Sequence, residues 1–107
     1  MNSREKGKRG ERLLAEALRK EGHEAHRGVQ YQGGKDSPDV VTDMPNIHVE
    51  CKFCENARIR EWMAQAIRDA GDKIPTVMWK KSREEWLVII RLKDFMKLER
   101  GEHETDH

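Results

Sequence analysis

Asp39 and Glu50 stand eleven positions apart, and Lys52 follows two positions after the glutamate. Around them the chain reads Ser37-Pro38-Asp39-Val40-Val41, then a short turn, then His48-Val49-Glu50-Cys51-Lys52. Two carboxylates and an ammonium brought together on neighbouring strands can hold a hard divalent cation beside a hydrolytic water. Mg2+ takes oxygen ligands, keeps several waters and often uses only one or two carboxylates. The backbone carbonyl of Cys51 is one more oxygen within reach of the same ion. Such a cation polarises a phosphate and acidifies water, while an amine neutralises charge gathering on phosphorus. The chemistry that suits this set is phosphodiester hydrolysis. Any one of these side chains alone is an ordinary surface charge; the joint pattern carries the reading.

The elements that must position these groups follow from the apolar spacing. Residues 4–21 are rich in Glu, Lys, Arg, Leu and Ala, and predict a helix stopped by Gly22. Glu11 precedes Leu14 by three positions and Leu18 by seven, so it shares their packing face. A glutamate there is costly unless it is paired or near a metal, which makes Glu11 a third acid of the set. Residues 23–30 read as a strand marked by Ala25 and Val29, and residues 31–37 as a flexible loop. A short strand over 39–42 pairs antiparallel, through a turn at 43–46, with a strand over 47–53. In that strand Ile47, Val49, Cys51 and Phe53 form an apolar packing face, and His48, Glu50 and Lys52 present the polar one. A helix over 57–70 carries a stripe of Ile59, Trp62, Met63, Ala66, Ile67 and Ala70, and Gly71 ends it. Pro75 opens a strand over 76–80, a turn at 82–84 leads to the most apolar strand at 85–91, and a helix over 93–98 closes the domain. The fold class expected is α/β (α+β): a mixed five-stranded sheet flanked by helices, its fourth strand parallel to the third across the helical crossover. Trp62, Met63, Trp79 and Trp86 are expected in the core. Residues 1–100 form a single expected domain, and the acidic end of the chain a disordered tail.

Composition narrows the class. At 107 residues one domain is expected. Neither a long apolar run nor an apolar N-terminal segment is present, so neither a membrane span nor a signal peptide is expected. With two cysteines, no disulfide framework is expected, and a cytoplasmic setting is the default. Net charge is only +1, yet residues 1–98 hold 20 basic against 16 acidic side chains. The basic opening of the chain, Lys8 and Arg9 included, is a candidate face for phosphates, as is Lys35 in the loop. Cys51 and Cys54 have the C-x2-C spacing of a zinc site, with His23 and His26 as further ligands. Strand geometry argues against zinc, since Cys51 points to the apolar face and the two histidines diverge.

Pro38-Asp39 followed by Glu50-Cys51-Lys52 resembles the signature of the PD-(D/E)XK nuclease superfamily, and the expected element order is similar to its core. Lys6-Gly7, Glu11-Arg12, Leu14, Leu18, Gly22-His23 and Arg27 resemble the opening of archaeal-type Holliday-junction resolvases and their phage-encoded relatives. The likeness runs over roughly residues 6–91. It implies an αβββαβ restriction-endonuclease-like core and a homodimeric DNA endonuclease of the prokaryotic or phage-infected cell, working with Mg2+ or Mn2+ on branched DNA in recombination. It implies Glu11, Asp39, Glu50 and Lys52 as the catalytic set. Asp39 and Glu50 would bind the metal, Glu11 would act through water or on a second ion, and Arg12 and Arg27 would touch DNA phosphates. Ser37 is the candidate for the family's serine-bearing loop. Gln65 is the candidate for a glutamine that some relatives carry on the helix after the motif lysine. His48, on the face of Glu50, is expected in a supporting or surface role. The rival reading is a DNA-binding protein that keeps the fold without the chemistry. Flap, nicked and single-stranded DNA stand as alternative substrates.

Overall fold

The computed structural model describes residues 3–28 and 38–101. Helix α1 spans Ser3–Lys20, with Glu5 in its first turn and Arg19 and Lys20 in its last, each sign placed to suit the helix dipole. It stops in a Schellman turn: the His23 amide donates to the Leu18 carbonyl at 3.1 Å and the Gly22 amide to the Arg19 carbonyl at 3.0 Å. That turn needs a left-handed residue, and Gly22 supplies it at φ 97°. The remaining elements are β1 (Ala25–Arg27), β2 (Val40–Thr42), β3 (Ile47–Phe53), α2 (Ile59–Ala70), β4 (Ile74–Lys80), β5 (Leu87–Ile89) and α3 (Leu92–Glu99).

The five strands lie in the order β1-β2-β3-β4-β5. All neighbours are antiparallel except β3 and β4, which run parallel because α2 carries the chain back across the sheet. Leu14 and Ala15 of α1 pack on one face against Ala25, Val40, Val49 and Met78. On the opposite face Trp62 and Ala66 of α2 pack against Val77. The sheet is therefore covered on both sides.

Several expectations change in this setting. Pro75 lies inside β4 rather than before it, and is fully buried. The Ile74 amide donates to the Asn46 carbonyl at 2.8 Å, toward the β3 side. The next residue faces the other way, where pairing with β5 begins only at Val77, so the missing proline donor is not required. The strand expected over 85–91 shortens to Leu87–Ile89, with Leu87 and Val88 exposed, because β5 is an edge strand whose ladder has only three pairs. On α2, Ile59 and Ile67 are exposed and the buried line is Trp62, Ala66 and Ala70, one residue per turn toward the sheet. Val29, the loop 31–37 and residues 102–107 lie outside the described residues.

One close approach fixes α1 on the sheet. A Cβ added at Gly10 would lie 2.6 Å from the Phe53 Cβ, so the helix backbone rests directly on the root of the Phe53 side chain. This seats Glu11 beside the far end of β3. Gly7, by contrast, has nothing within 4 Å. Gly10→Ala is expected to destabilise the fold by about 1–3 kcal/mol through overpacking. Gly7→Ala should be neutral or stabilising by up to about 1 kcal/mol, from helix propensity. Urea unfolding of the two variants checks the contrast, and equal midpoints would count against the tight crossing.

Candidate active site

Strand pairing builds the site. Val40 stands opposite Val49 in the antiparallel β2–β3 ladder, which sets Asp39 opposite Glu50. The Asp39 amide donates to the Val49 carbonyl at 2.9 Å. The Cys51 amide donates to Asp39 Oδ2 at 2.8 Å. The carbonyl of Cys51 leaves the strand on the same edge as its amide, so it too faces the Asp39 side.

Glu50 lies on the polar face of β3, as expected, and α2 covers that face: Glu50 is only 5% exposed and His48 4%. Their side chains pair at 2.9 Å, Nε2 to Oε2. Two carboxylates in a poorly hydrated place repel each other, and the result shows in Asp39. Burial first, then the Glu50 charge, raises its pKa to about 7; the Cys51 amide and Lys52 oppose the rise, and Glu11 adds to it. Lys52 lies on the Glu50 face with Nζ 5.9 Å from the centre of the Trp62 ring. Trp62 meets Trp79 edge to face at 5.6 Å, and the Trp79 indole N–H donates to the Cys54 carbonyl at 2.9 Å. Lys52 forms no ion pair among the described residues, so its charge stays available to a ligand.

Glu11 finds a partner in β1: Arg27 Nε donates to Glu11 Oε1 at 3.0 Å. The cause is the burden already identified from the sequence: Glu11 on the packing face of α1 needs a partner. Among the described residues no three His, Cys, Asp or Glu side chains converge as a ready ion cage. What stands together is the Asp39–Glu50 pair, which fits the small carboxylate demand of Mg2+. Burial first, and then the Glu50 charge, disfavour the ionised Asp39 carboxylate, which a divalent cation would favour. The zinc alternative finds no such fit. Cys51 and Cys54 are free thiols. The candidate ligand His23 pairs instead with Asp43 at 2.9 Å, and no group of three His, Cys, Asp or Glu forms around the thiols among the described residues.

Basic groups flank the acids in two places. Arg9, Arg12, Arg19, Arg27 and His26 line a cleft of about 320 Å3 with Glu16. Arg19 donates to the Ala25 carbonyl at 2.6 Å, tying helix to strand. At the end of β3, Lys6, Arg9 and Lys80 gather around the Phe53 ring at 5.7, 5.8 and 5.8 Å from its centre. Lys8 is half-buried on α1. Sequence reasoning passed over Lys80, and gave His26 no part in phosphate binding. Spacing alone brings Arg12 and Arg19 to one helix flank, but nothing local places Lys80 beside Phe53; the parallel β3–β4 register does, with Phe53 opposite Lys80. Trp62 was read as core, which it is, and it also seats Lys52. Gln65 is exposed on α2, and no hydrogen bond ties it to the acids. Lys35 and Ser37 lie outside the described residues.

Comparisons with known proteins agree with this geometry. Hjc of Archaeoglobus fulgidus, a Holliday junction resolvase from an archaeal hyperthermophile, is similar in structure with a TM-score of 0.58 at 26% identity, over 79% of this chain and 72% of that one. The mixed sheet with its three helices is the restriction-endonuclease-like fold. No curated protein matches the chain. Residues 2–105 match the family model described as "Phage putative PDDEXK endonuclease". With Asp39 of that signature just before β2 and Glu50 and Lys52 on β3, this chain belongs to the phage PD-(D/E)XK endonuclease family.

Proposed function

We propose that the protein is a Mg2+-dependent DNA endonuclease acting on branched DNA, in the manner of a junction resolvase, as a homodimer. One observation carries the catalytic reading: Asp39 and Glu50 stand side by side in strand register, poorly hydrated, with Lys52 two residues on and unpaired among the described residues. Asp39, Glu50 and the Cys51 carbonyl would hold the ion, which when bound supplies Lewis acidity toward the scissile phosphate. Lys52 orients the attacking water and offsets the negative charge that gathers on the phosphoryl oxygens. Attack forms one P–O bond as the bond to the leaving sugar oxygen breaks. Glu11, held by Arg27, acts on the outer water shell and orders Arg27 beside the phosphate.

Arg9, Arg12 and Arg27 in the cleft, with Lys6, Lys8 and Lys80 nearby, would contact the phosphate backbone. Lys35, in the adjacent segment, belongs to the same proposed set. The resolvase-like substrate rests on the likeness to Hjc. The dimer rests on the need for two cuts across a junction and on an apolar surface at the edge of the sheet. There Leu87, Val88, Leu92 and Phe95 are 51, 58, 75 and 51% exposed. A second copy covering this face would bury it and satisfy the open edge of β5.

Four tests bear on this reading. Cleavage of junction, flap, duplex and single-stranded DNA with Mg2+ should favour the junction and stop with chelator. Asp39→Ala and Glu50→Ala should each lower cleavage by about 100-fold or more, with binding in chelator largely kept. Binding by every variant without cutting of any substrate by the wild type would instead favour the non-catalytic reading. The pH dependence follows from Asp39. The folded state holds its proton to about pH 7 while the ordinary value is 3.8. Between these the folded state binds more protons, so stability of the cation-free protein falls as pH rises through the window. Mn2+ must displace that proton, so its affinity should rise with pH and level off above about 7. Calorimetry across pH 5–8.5 reads both effects, and Asp39→Asn should flatten the stability profile. Finally, Leu92→Glu with Phe95→Glu should shift the sedimenting species from dimer to monomer; an unchanged dimer would move the interface elsewhere.

A further inference from the structure

We propose that His48 is a positioning residue that fixes which oxygen of Glu50 faces the cation, and thereby tunes the site toward small octahedral ions. This rests on the reading of Asp39 and Glu50 as the ion-binding pair. His48 and Glu50 lie two residues apart on β3, so their side chains leave the same face of the strand. Both are almost fully buried. Across the parallel ladder they stand opposite Pro75 and Val77, which offer no side-chain donor. The His48–Glu50 contact at 2.9 Å is accordingly the only hydrogen bond reaching the Glu50 carboxylate from the described residues.

With Glu50 ionised as a ligand, the Nε2–H of His48 donates to Oε2. That would remove one oxygen from competition and leave Oε1 for the ion. The imidazole turns on two torsions, is packed under α2, and so restrains a carboxylate that otherwise has three torsions to sample. Ions differ in what they ask of such a ligand. Mg2+ demands near-ideal octahedral geometry, whereas Ca2+ accepts carboxylates through both oxygens and more ligands in all. A glutamate with one oxygen already engaged is suited to the first and unsuited to the second. Partners of this kind, one bond behind the ligand, are typically worth about 10–100-fold in metal affinity.

The experiment is titration calorimetry of the full chain with Mn2+ and with Ca2+, for wild type, His48→Leu and His48→Gln. The Gln variant keeps an N–H donor and guards against simple loss of folding, which thermal melts of the cation-free proteins monitor. His48→Leu should weaken Mn2+ by about 10–100-fold and Ca2+ far less, so the Mn2+/Ca2+ affinity ratio falls. His48→Gln should recover part of the Mn2+ affinity and of the ratio. An unchanged ratio in both variants, whether affinities stay the same or fall together, would overturn the assignment and leave His48 a packing residue. If wild type neither binds Mn2+ nor cuts DNA, the ion-binding reading itself fails; if wild type does both and the ratio does not move, only the role of His48 fails.

Discussion

The antiparallel pairing of β2 with β3 is the constraint on which the rest depends. A single register, Val40 against Val49, sets the Asp39 carboxylate opposite Glu50 and gives it the Cys51 amide as a donor. The period of a strand is two, so a slip of one residue would send Glu50, His48 and Lys52 to the α1 face and bring Val49 and Cys51 to the site. The apolar set of β3 prevents that slip, because Val49 is buried against Leu14, Ala15 and Val40. Packing on one face thus enforces the chemistry on the other.

The two helices hold this strand pair differently. α1 approaches so closely at Gly10 that no side chain fits, and brings Glu11 against Arg27 of β1 as an ion pair. α2 closes the far face with Trp62, which packs on Val77 and also lies beside Lys52. Covering this face strengthens the attraction of acids for a cation, since charges interact more strongly away from water. It also requires each polar group beneath α2 to find a partner, and the His48–Glu50 bond meets that requirement.

Much of this was legible in the chain. The order of elements, the parallel crossover and the positions of Asp39, Glu50 and Lys52 follow from periodicity and turn residues, because each is a local signal. Glu11 could be singled out from helical spacing, but not its partner: Arg27 lies sixteen residues away, and only the packing of α1 on β1 joins them. His48 illustrates the same limit. Its face was readable, but its burial was not, since alternation cannot tell an open sheet face from one that a later helix will cover. The overlong strand at 85–91 reflects a further gap. Apolar residues usually signal burial, whereas Leu87 and Val88 sit on a sheet edge and are exposed. The cluster around Phe53 depends on cross-strand register, which no window of sequence contains.

The crowding of Asp39 and Glu50 gives this small fold an internal electrostatic fault line. Without a cation, burial and the neighbouring Glu50 charge favour a proton kept on Asp39. A ligand that binds only the folded chain stabilises it by mass action. On the proposed reading, ion loading and chain integrity would be one linked equilibrium, the ion a reversible rivet for the polypeptide as well as the reagent for its chemistry.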